Sequence, residues 1–319
     1  YLIRTQDNSL LNKYVLIPYF FEPIARAVPS FFVPNMITLI GNLAPLLVFL
    51  FLAVFFPDTS VKLPWWGNVL MAGSTLTFWI CDSLDGMRAR ATGICSPSGD
   101  WLDHSLDNVT YFCFIYFLDR MFLMDSWTEH FLIVIFLVYT SYCVQIEAVY
   151  TNAIHLAIIN ASCEGLLGFI GILLFDIVFP LDTFTVFGIS AYFLIKWIMA
   201  GLLVIHSCAM LSSLWANEQL PVKEGAFHRS NQFKDALLMY FQSFVPVIIG
   251  LVFFHLFDAS VNYAVYIVWV DFCSLIYVDA IIQCRLFGRP VPTLLDPRYL
   301  VAQLPPLVLA PIIGFELAI

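Results

Sequence analysis

Residues 81–107 read CDSLDGMRARATGICSPSGDWLDHSLD and gather five aspartates and two arginines in a chain otherwise poor in charge. Residues three or four apart share a helix face, so Asp82 and Asp85 form one carboxylate pair and Asp103 and Asp107 form another. A turn containing Gly93, Pro97 and Gly99 separates the pairs, and reversing the chain there brings all four acids to one depth. Four anions so placed repel, and each is costly to take out of water. A cation must sit among them. Oxygen ligands with no competing His/Cys set of zinc spacing favour Mg2+, Mn2+ or Ca2+. Two such ions about 4 Å apart are suited to stabilising the attacking and leaving oxygens of phosphoryl transfer. Gly86 and Gly99 remove side chains where a bulky nucleotide approaches the backbone, and Ala89 keeps that face small. Arg90 offers a fork that matches phosphate oxygens.

The elements that must carry these residues are transmembrane helices. The chain of 319 residues is 61% hydrophobic and only 12% charged, about half the charge of an ordinary soluble domain. Each crossing of a bilayer core of roughly 30 Å takes about 20 apolar residues. Such runs occur at 34–56, 65–81, 106–124, 131–150, 165–181, 184–212, 236–257, 262–283 and 299–318. The expected fold is therefore all-α, a polytopic transmembrane bundle with nine visible spans. The chain starts at Tyr1 and stops inside an apolar run, so a tenth span is expected beyond Ile319. Residues 8–28, with two prolines among apolar clusters, read as a broken amphipathic helix at the membrane surface. One membrane domain is expected, with an interfacial segment at 1–33, catalytic helices at 34–181 and further spans at 182–319. Placing the N-terminus in the cytosol puts nearly all Lys and Arg on that side; Lys62 and Arg120 face the other way and Lys196 lies within a span. The acidic cluster then opens to the cytosol. The eight cysteines are single and without a CxxC, and read as reduced apolar residues.

The spacing Asp82-x2-Asp85-Gly86-x2-Ala89-Arg90-x8-Gly99-x3-Asp103-x3-Asp107 matches, at every specified position, the signature of the CDP-alcohol phosphotransferases. The stretches SLLNKYVLIPYF, VPNMITLIGN, SPSGDWLDHSLDN and QIEAVYTNAIHLAIINASCEG resemble the eukaryotic choline/ethanolamine phosphotransferase branch, over about residues 7–165. Ala91 stands where members of that branch often carry a further basic residue. The resemblance implies that a lipid hydroxyl attacks the β-phosphate of CDP-ethanolamine or CDP-choline and releases CMP. Asp82, Asp85 and Asp103 would hold one Mg2+ or Mn2+, and Asp82, Asp103 and Asp107 would hold or approach the second. Gly86, Ala89, Arg90 and Gly99 would line the cytidine diphosphate site, with Asn35 beside them. A general base is expected near the metals: Asp107 first, with Glu147 and Glu164 as supporting partners or alternative bases. Diacylglycerol is the expected acceptor, entering laterally from the bilayer, with ceramide as an alternative; a phosphatidyltransferase using CDP-diacylglycerol is a rival. Homodimerisation and an endoplasmic-reticulum or Golgi location are implied in the same way, and no nucleic-acid partner is expected.

Other residues carry weaker signals. His104 and His155 are candidate proton relays against surface or helix-end packing, and Lys196 with Asp271 form a candidate pair within the membrane. Trp79 and Tyr142 are candidates for a cage around choline, set against simple packing. A divalent-cation transporter would explain the acids, though not Gly86, Ala89, Arg90 and Gly99 at their spacing.

Overall fold

The structure is a computed structural model, and it describes residues 4–7, 9–123, 144–146, 148–149, 153–156, 161–218, 248, 279–284 and 286. The chain forms two compact units, residues 1–123 with 153–198, and 124–152 with 199–319. The helices described here that carry the acids belong to the first.

Strand β1 (Arg4–Asp7) pairs in parallel with β2 (Ala153–Leu156), Arg4 opposite Ala153 and Asp7 opposite Leu156. Ser9 then starts a helix by accepting the Asn12 N–H at 2.9 Å. The break expected at the prolines takes the form of a widened helix. Asn12–Phe21 winds as a π-helix with Pro18 inside it, and α1 (Glu22–Ala27) continues from there. Proline has no N–H to return to the preceding turn, and π geometry, rare overall, occurs where a helix is locally irregular.

Helix α2 (Pro34–Phe55) begins with Pro34 in its first turn, where the missing N–H costs nothing. It is the one helix among the described residues that is both long and apolar enough to cross a membrane by composition. Helices α3 (Trp65–Thr92) and α4 (Pro97–Phe122) have 28 and 26 residues, about 40 Å each, longer than the roughly 30 Å hydrocarbon core. After a π-helical turn at Ala161–Gly165 come α5 (Leu166–Val178), a hairpin of β3 (Thr185–Val186) and β4 (Ile189–Ser190), and α6 (Ala191–Glu218).

The spans read at 34–56, 65–81, 106–124 and 165–181 coincide with α2, α3, α4 and α5. The span read from 184 starts as a helix only at Ala191, because Phe187 at φ 53° and Gly188 at φ 79° turn the chain back first. Those at 131–150, 236–257, 262–283 and 299–318 lie largely or wholly outside the described residues.

Helix α2 packs against α3 and α4, and α3 against α5. Leu52, Met71, Ile115, Phe117 and Leu173 are among the buried side chains of this core. Helices α2 and α3 touch tightly at Gly41, where an added Cβ would lie 2.6 Å from Cys81 Cβ. At the opposite end of α3 from its acids, a polar cluster holds the helix ends. Asp176 accepts from Asn68 Nδ2 at 3.0 Å, the Leu181 N–H at 2.8 Å and the Tyr192 hydroxyl at 3.3 Å. Lys62 Nζ reaches Asp176 at 3.4 Å and Asp182 at 2.6 Å, and its hydrogen bond holds the Asp182 carboxyl below the ordinary carboxylate range. The Arg120 guanidinium donates to the backbone carbonyls of Asp58 and Val61. Between Asn68 and the acids at 82–85, α3 rises about 21–26 Å. An apolar groove of about 450 Å³, lined by residues including Gly168, Gly171, Phe175 and Leu194, runs between α5 and the start of α6.

The crossing at Gly41 generates a prediction. Gly41→Ala is expected to lower stability by about 1–3 kcal/mol through overpacking, read as a fall in thermal midpoint. Because the clash is between Cβ atoms, Cys81→Ala should not relieve it, whereas Cys81→Gly should remove the extra loss in a double-mutant cycle.

Candidate active site

Four residues reverse the chain between the two acid-bearing helices. Gly93 ends α3 at φ 69°, with its N–H on the carbonyls of Ala89 and Arg90, a left-handed cap that glycine adopts without strain. Ser96 opens α4 by accepting the Gly99 N–H at 3.1 Å, with Pro97 at the first helical position. This is a side-chain cap followed by a proline, the usual chemistry of a helix start. The short reversal sets the end of α3 beside the start of α4.

The acids meet across that junction. One ligand oxygen from each of Asp82, Asp103 and Asp107 lies within 4.8 Å of the other two. Across the junction the carboxylates face one another in two pairs, Asp82 with Asp107 and Asp85 with Asp103. Asp85 is 4% exposed and Asp107 9%. Oxygens no more than 4.8 Å apart can all touch one ion at the roughly 2.0–2.6 Å of Mg2+ or Ca2+ coordination. Asp103 Oδ1 and Asp107 Oδ1 are buried and have no hydrogen-bond partner. Orphaned anionic oxygens at a costly depth are what a divalent ion would satisfy, so the residues present fit such an ion.

Two further side chains support the acids. Thr38 Oγ1 donates to Asp85 Oδ2 at 2.5 Å. Asn42 lies beside Asp107, accepts the Thr110 hydroxyl at 2.5 Å and donates to the Thr38 carbonyl at 3.0 Å. With Asn35 they stand at i, i+3 and i+7 on α2, one polar stripe on an apolar helix. That stripe is the signal by which the sequence marks them, although only the docking of α2 shows which acids they serve.

Four of the nucleotide-side candidates meet in two separate pairs, Arg90 with Gly86 and Asn35 with Gly99. The Arg90 guanidinium folds back over Gly86, where a Cβ would lie 3.1 Å from Nη1. A Cβ at Gly99 would meet Ser96 Oγ at 3.2 Å and Asn35 Oδ1 at 3.5 Å. Gly99 therefore lets Asn35 approach the mouth of α4. Ala89 lies one residue before Arg90 on the last turn of α3, and its carbonyl accepts the Ile94 N–H at 3.2 Å.

His104 Nδ1 contacts the Asp100 carbonyl at 2.9 Å and Asp100 Oδ1 at 3.2 Å, with Asp103 Oδ2 at 3.9 Å. Trp79 does not line an open cage. It is 3% exposed, with its ring 4.8 Å from that of Phe21 and 5.6 Å from that of Phe20. The N-terminal helix thus packs onto α3 one turn before Asp82. Glu164, on the π-helical turn, accepts a hydrogen bond from Ser9 Oγ. His155 lies on β2 opposite Gln6, and Lys196 lies on α6. Glu147, Tyr142 and Asp271 fall outside the described residues.

Comparison with known proteins agrees with this geometry. The family model of the CDP-alcohol phosphatidyltransferases matches residues 31–215, more than half the chain. This chain belongs to that family. An uncharacterised class-I CDP-alcohol phosphatidyltransferase family protein of Schizosaccharomyces pombe is 28% identical over 167 residues, 52% of this chain and 43% of its own length. Ethanolaminephosphotransferase 1 of Pongo abelii is 32% identical over 115 residues, 34% of this chain and 29% of its own. Choline/ethanolaminephosphotransferase 1 of Saccharomyces cerevisiae is 32% identical over 120 residues, 36% of this chain and 30% of its own. The chain spans less than half the length of these relatives. The family read from the acid signature and the eukaryotic branch read from the stretches around it are borne out, and the chain is an integral membrane protein.

Support from α2 is testable apart from turnover. Thr38→Val keeps the shape and removes the hydroxyl that holds Asp85. Loss of such a supporting hydrogen bond is expected to weaken divalent-ion affinity about 10–100-fold, measured by Mn2+ titration of the purified protein.

Proposed function

We propose that this protein transfers phosphoethanolamine or phosphocholine from the CDP-alcohol to the hydroxyl of diacylglycerol, releasing CMP. The observation that carries the reading is the meeting of Asp82, Asp103 and Asp107 from two helices within 4.8 Å, beside an arginine folded over a glycine. In this reading Asp82, Asp85, Asp103 and Asp107 hold two divalent ions, Mg2+ or Mn2+. When bound, such ions supply neutralising charge to the pyrophosphate and to the CMP leaving group.

The remaining work falls to the chain's own residues. Arg90 swings from its place over Gly86 to put its fork on phosphate oxygens, and the bare backbone of Gly86 leaves room for the donor. Asn35 and Gly99 border the mouth of α4. The acceptor hydroxyl oxygen forms the new bond to the β-phosphorus while the bond from that phosphorus to the oxygen bridging to CMP breaks. Asp107 receives the hydroxyl proton. Thr38 and Asn42 keep Asp85 and Asp107 aimed, so that positioning and charge neutralisation are already built in when substrate arrives. Glu147 and Glu164 are the alternative bases. The site faces the cytosol of endoplasmic-reticulum or Golgi membranes, where CDP-alcohols are soluble and the acceptor stays in the bilayer.

A cation transporter would need the acids but not the arginine, the glycines and Asn35 that accompany them. Metal-dependent CMP release from CDP-ethanolamine or CDP-choline with diacylglycerol is therefore expected, and a protein that moves ions but releases no CMP would exclude the reading. Running each donor against diacylglycerol and ceramide fixes head-group and acceptor choice in the same assay. Asp103→Asn is expected to reduce turnover to background with the thermal midpoint retained. Wild-type turnover in that variant would remove Asp103 from the ligand set.

A further inference from the structure

Helix α4 runs away from the Gly93–Ser96 turn, and its acid face does not stop at Asp107. Asp103, Asp107 and Tyr111 stand four residues apart on one side of the helix, each step about 6 Å further along it. Tyr111 is half-buried, with its ring edge-on to Phe78 at 6.4 Å and tilted to Phe114 at 6.5 Å. Its hydroxyl lies beside the side chain of Ser162, on the π-helical turn that precedes α5, and near Asp107, Asp82 and Asp103. A phenol thus stands beside a second element just beyond the acids, on the side away from the turn.

Packing against Phe78 and Phe114 asks only for a phenylalanine. The added oxygen is costly at that depth unless it is hydrogen-bonded. Ser162 can supply one bond, and a phenol oxygen, with one O–H and its lone pairs, has capacity for another. The acids need cations, which a neutral phenol cannot replace. A glycerolipid acceptor, by contrast, brings ester and hydroxyl oxygens to this same side, since its tails remain in hydrocarbon while its hydroxyl reaches the acids.

We propose that Tyr111, fixed in direction by Ser162, binds the acceptor lipid by hydrogen-bonding an oxygen of its glycerol backbone, and so sets the approach of the free hydroxyl to the acid cluster. The proposal rests on the transferase reading above. In it Tyr111 touches the acceptor, and Ser162 is a positioning residue acting through Tyr111. The donor, which enters at the turn end of α3 and α4, is not touched by either.

Initial rates of CMP release test this, with diacylglycerol mole fraction and CDP-ethanolamine or CDP-choline varied independently in mixed micelles of the full chain. Tyr111→Phe is expected to raise the apparent KM for diacylglycerol roughly three- to tenfold, the loss of one hydrogen bond, with the KM for the CDP-alcohol unchanged. Ser162→Ala should shift the acceptor KM in the same direction by less, and Ser162→Thr should restore it. An unchanged acceptor KM in Tyr111→Phe, an equal rise in both KM values, or a fall in kcat alone overturns the proposal. If Tyr111→Phe does not fold, Ser162→Ala decides by the same split. Wild-type protein that releases no CMP from any donor overturns the transferase reading instead, and is told apart because it needs no variant.

Discussion

Like charges do not gather in a low-dielectric place unless something of opposite sign shares it. Asp82, Asp85, Asp103 and Asp107 come from two helices to one junction, and their mutual repulsion, with the loss of hydration, opposes every contact that brings α3 and α4 together there. The site is organised around that cost. Orphaned oxygens on Asp103 and Asp107 mark the place of the compensating charge, and the reversal capped by Gly93 and Ser96 removes the slack by which the helix ends might part.

Helix α2 contributes no acid, yet it sets the geometry of those that are there. Its polar stripe of Asn35, Thr38 and Asn42 addresses, in order, the mouth of α4, Asp85 and Asp107. The same helix meets α3 tightly at Gly41, between Thr38 and Asn42. Close helix packing through a small residue is a recurrent device in membrane proteins; here it brings hydrogen-bond donors within reach of carboxylates. From the other side, Ser9 both starts the N-terminal helix and bonds Glu164, and Phe20 and Phe21 cover Trp79. The surface segment is therefore part of the scaffold around the acid-bearing turn of α3.

The acids and the reversing turn were legible because each depends on local spacing: carboxylates three or four residues apart, and glycines and a proline between them. Thr38 and Asn42 were not, because their meaning lies in which helix α2 docks against. Trp79 read as a cage candidate because aromatic residues look alike in sequence, and only the packing of Phe20 and Phe21 shows it covered. The hairpin before Ala191 was hidden by its own apolar residues, since hydropathy does not register the positive φ of Phe187 and Gly188.

The polar cluster at the far ends of the helices gives the bundle the mechanics of tongs. Lys62, Asn68, Asp176 and Tyr192 knot together the loop before α3, α3 itself, α5 and α6, and Arg120 fastens α4 to that same loop. With this pivot some 21–26 Å from the jaws, electrostatic pressure at the acid end has a lever arm but no free hinge. The reversal at Gly93–Ser96 ties the jaws as well, so α3 and α4 are held to each other at both ends of the acid-bearing stretch.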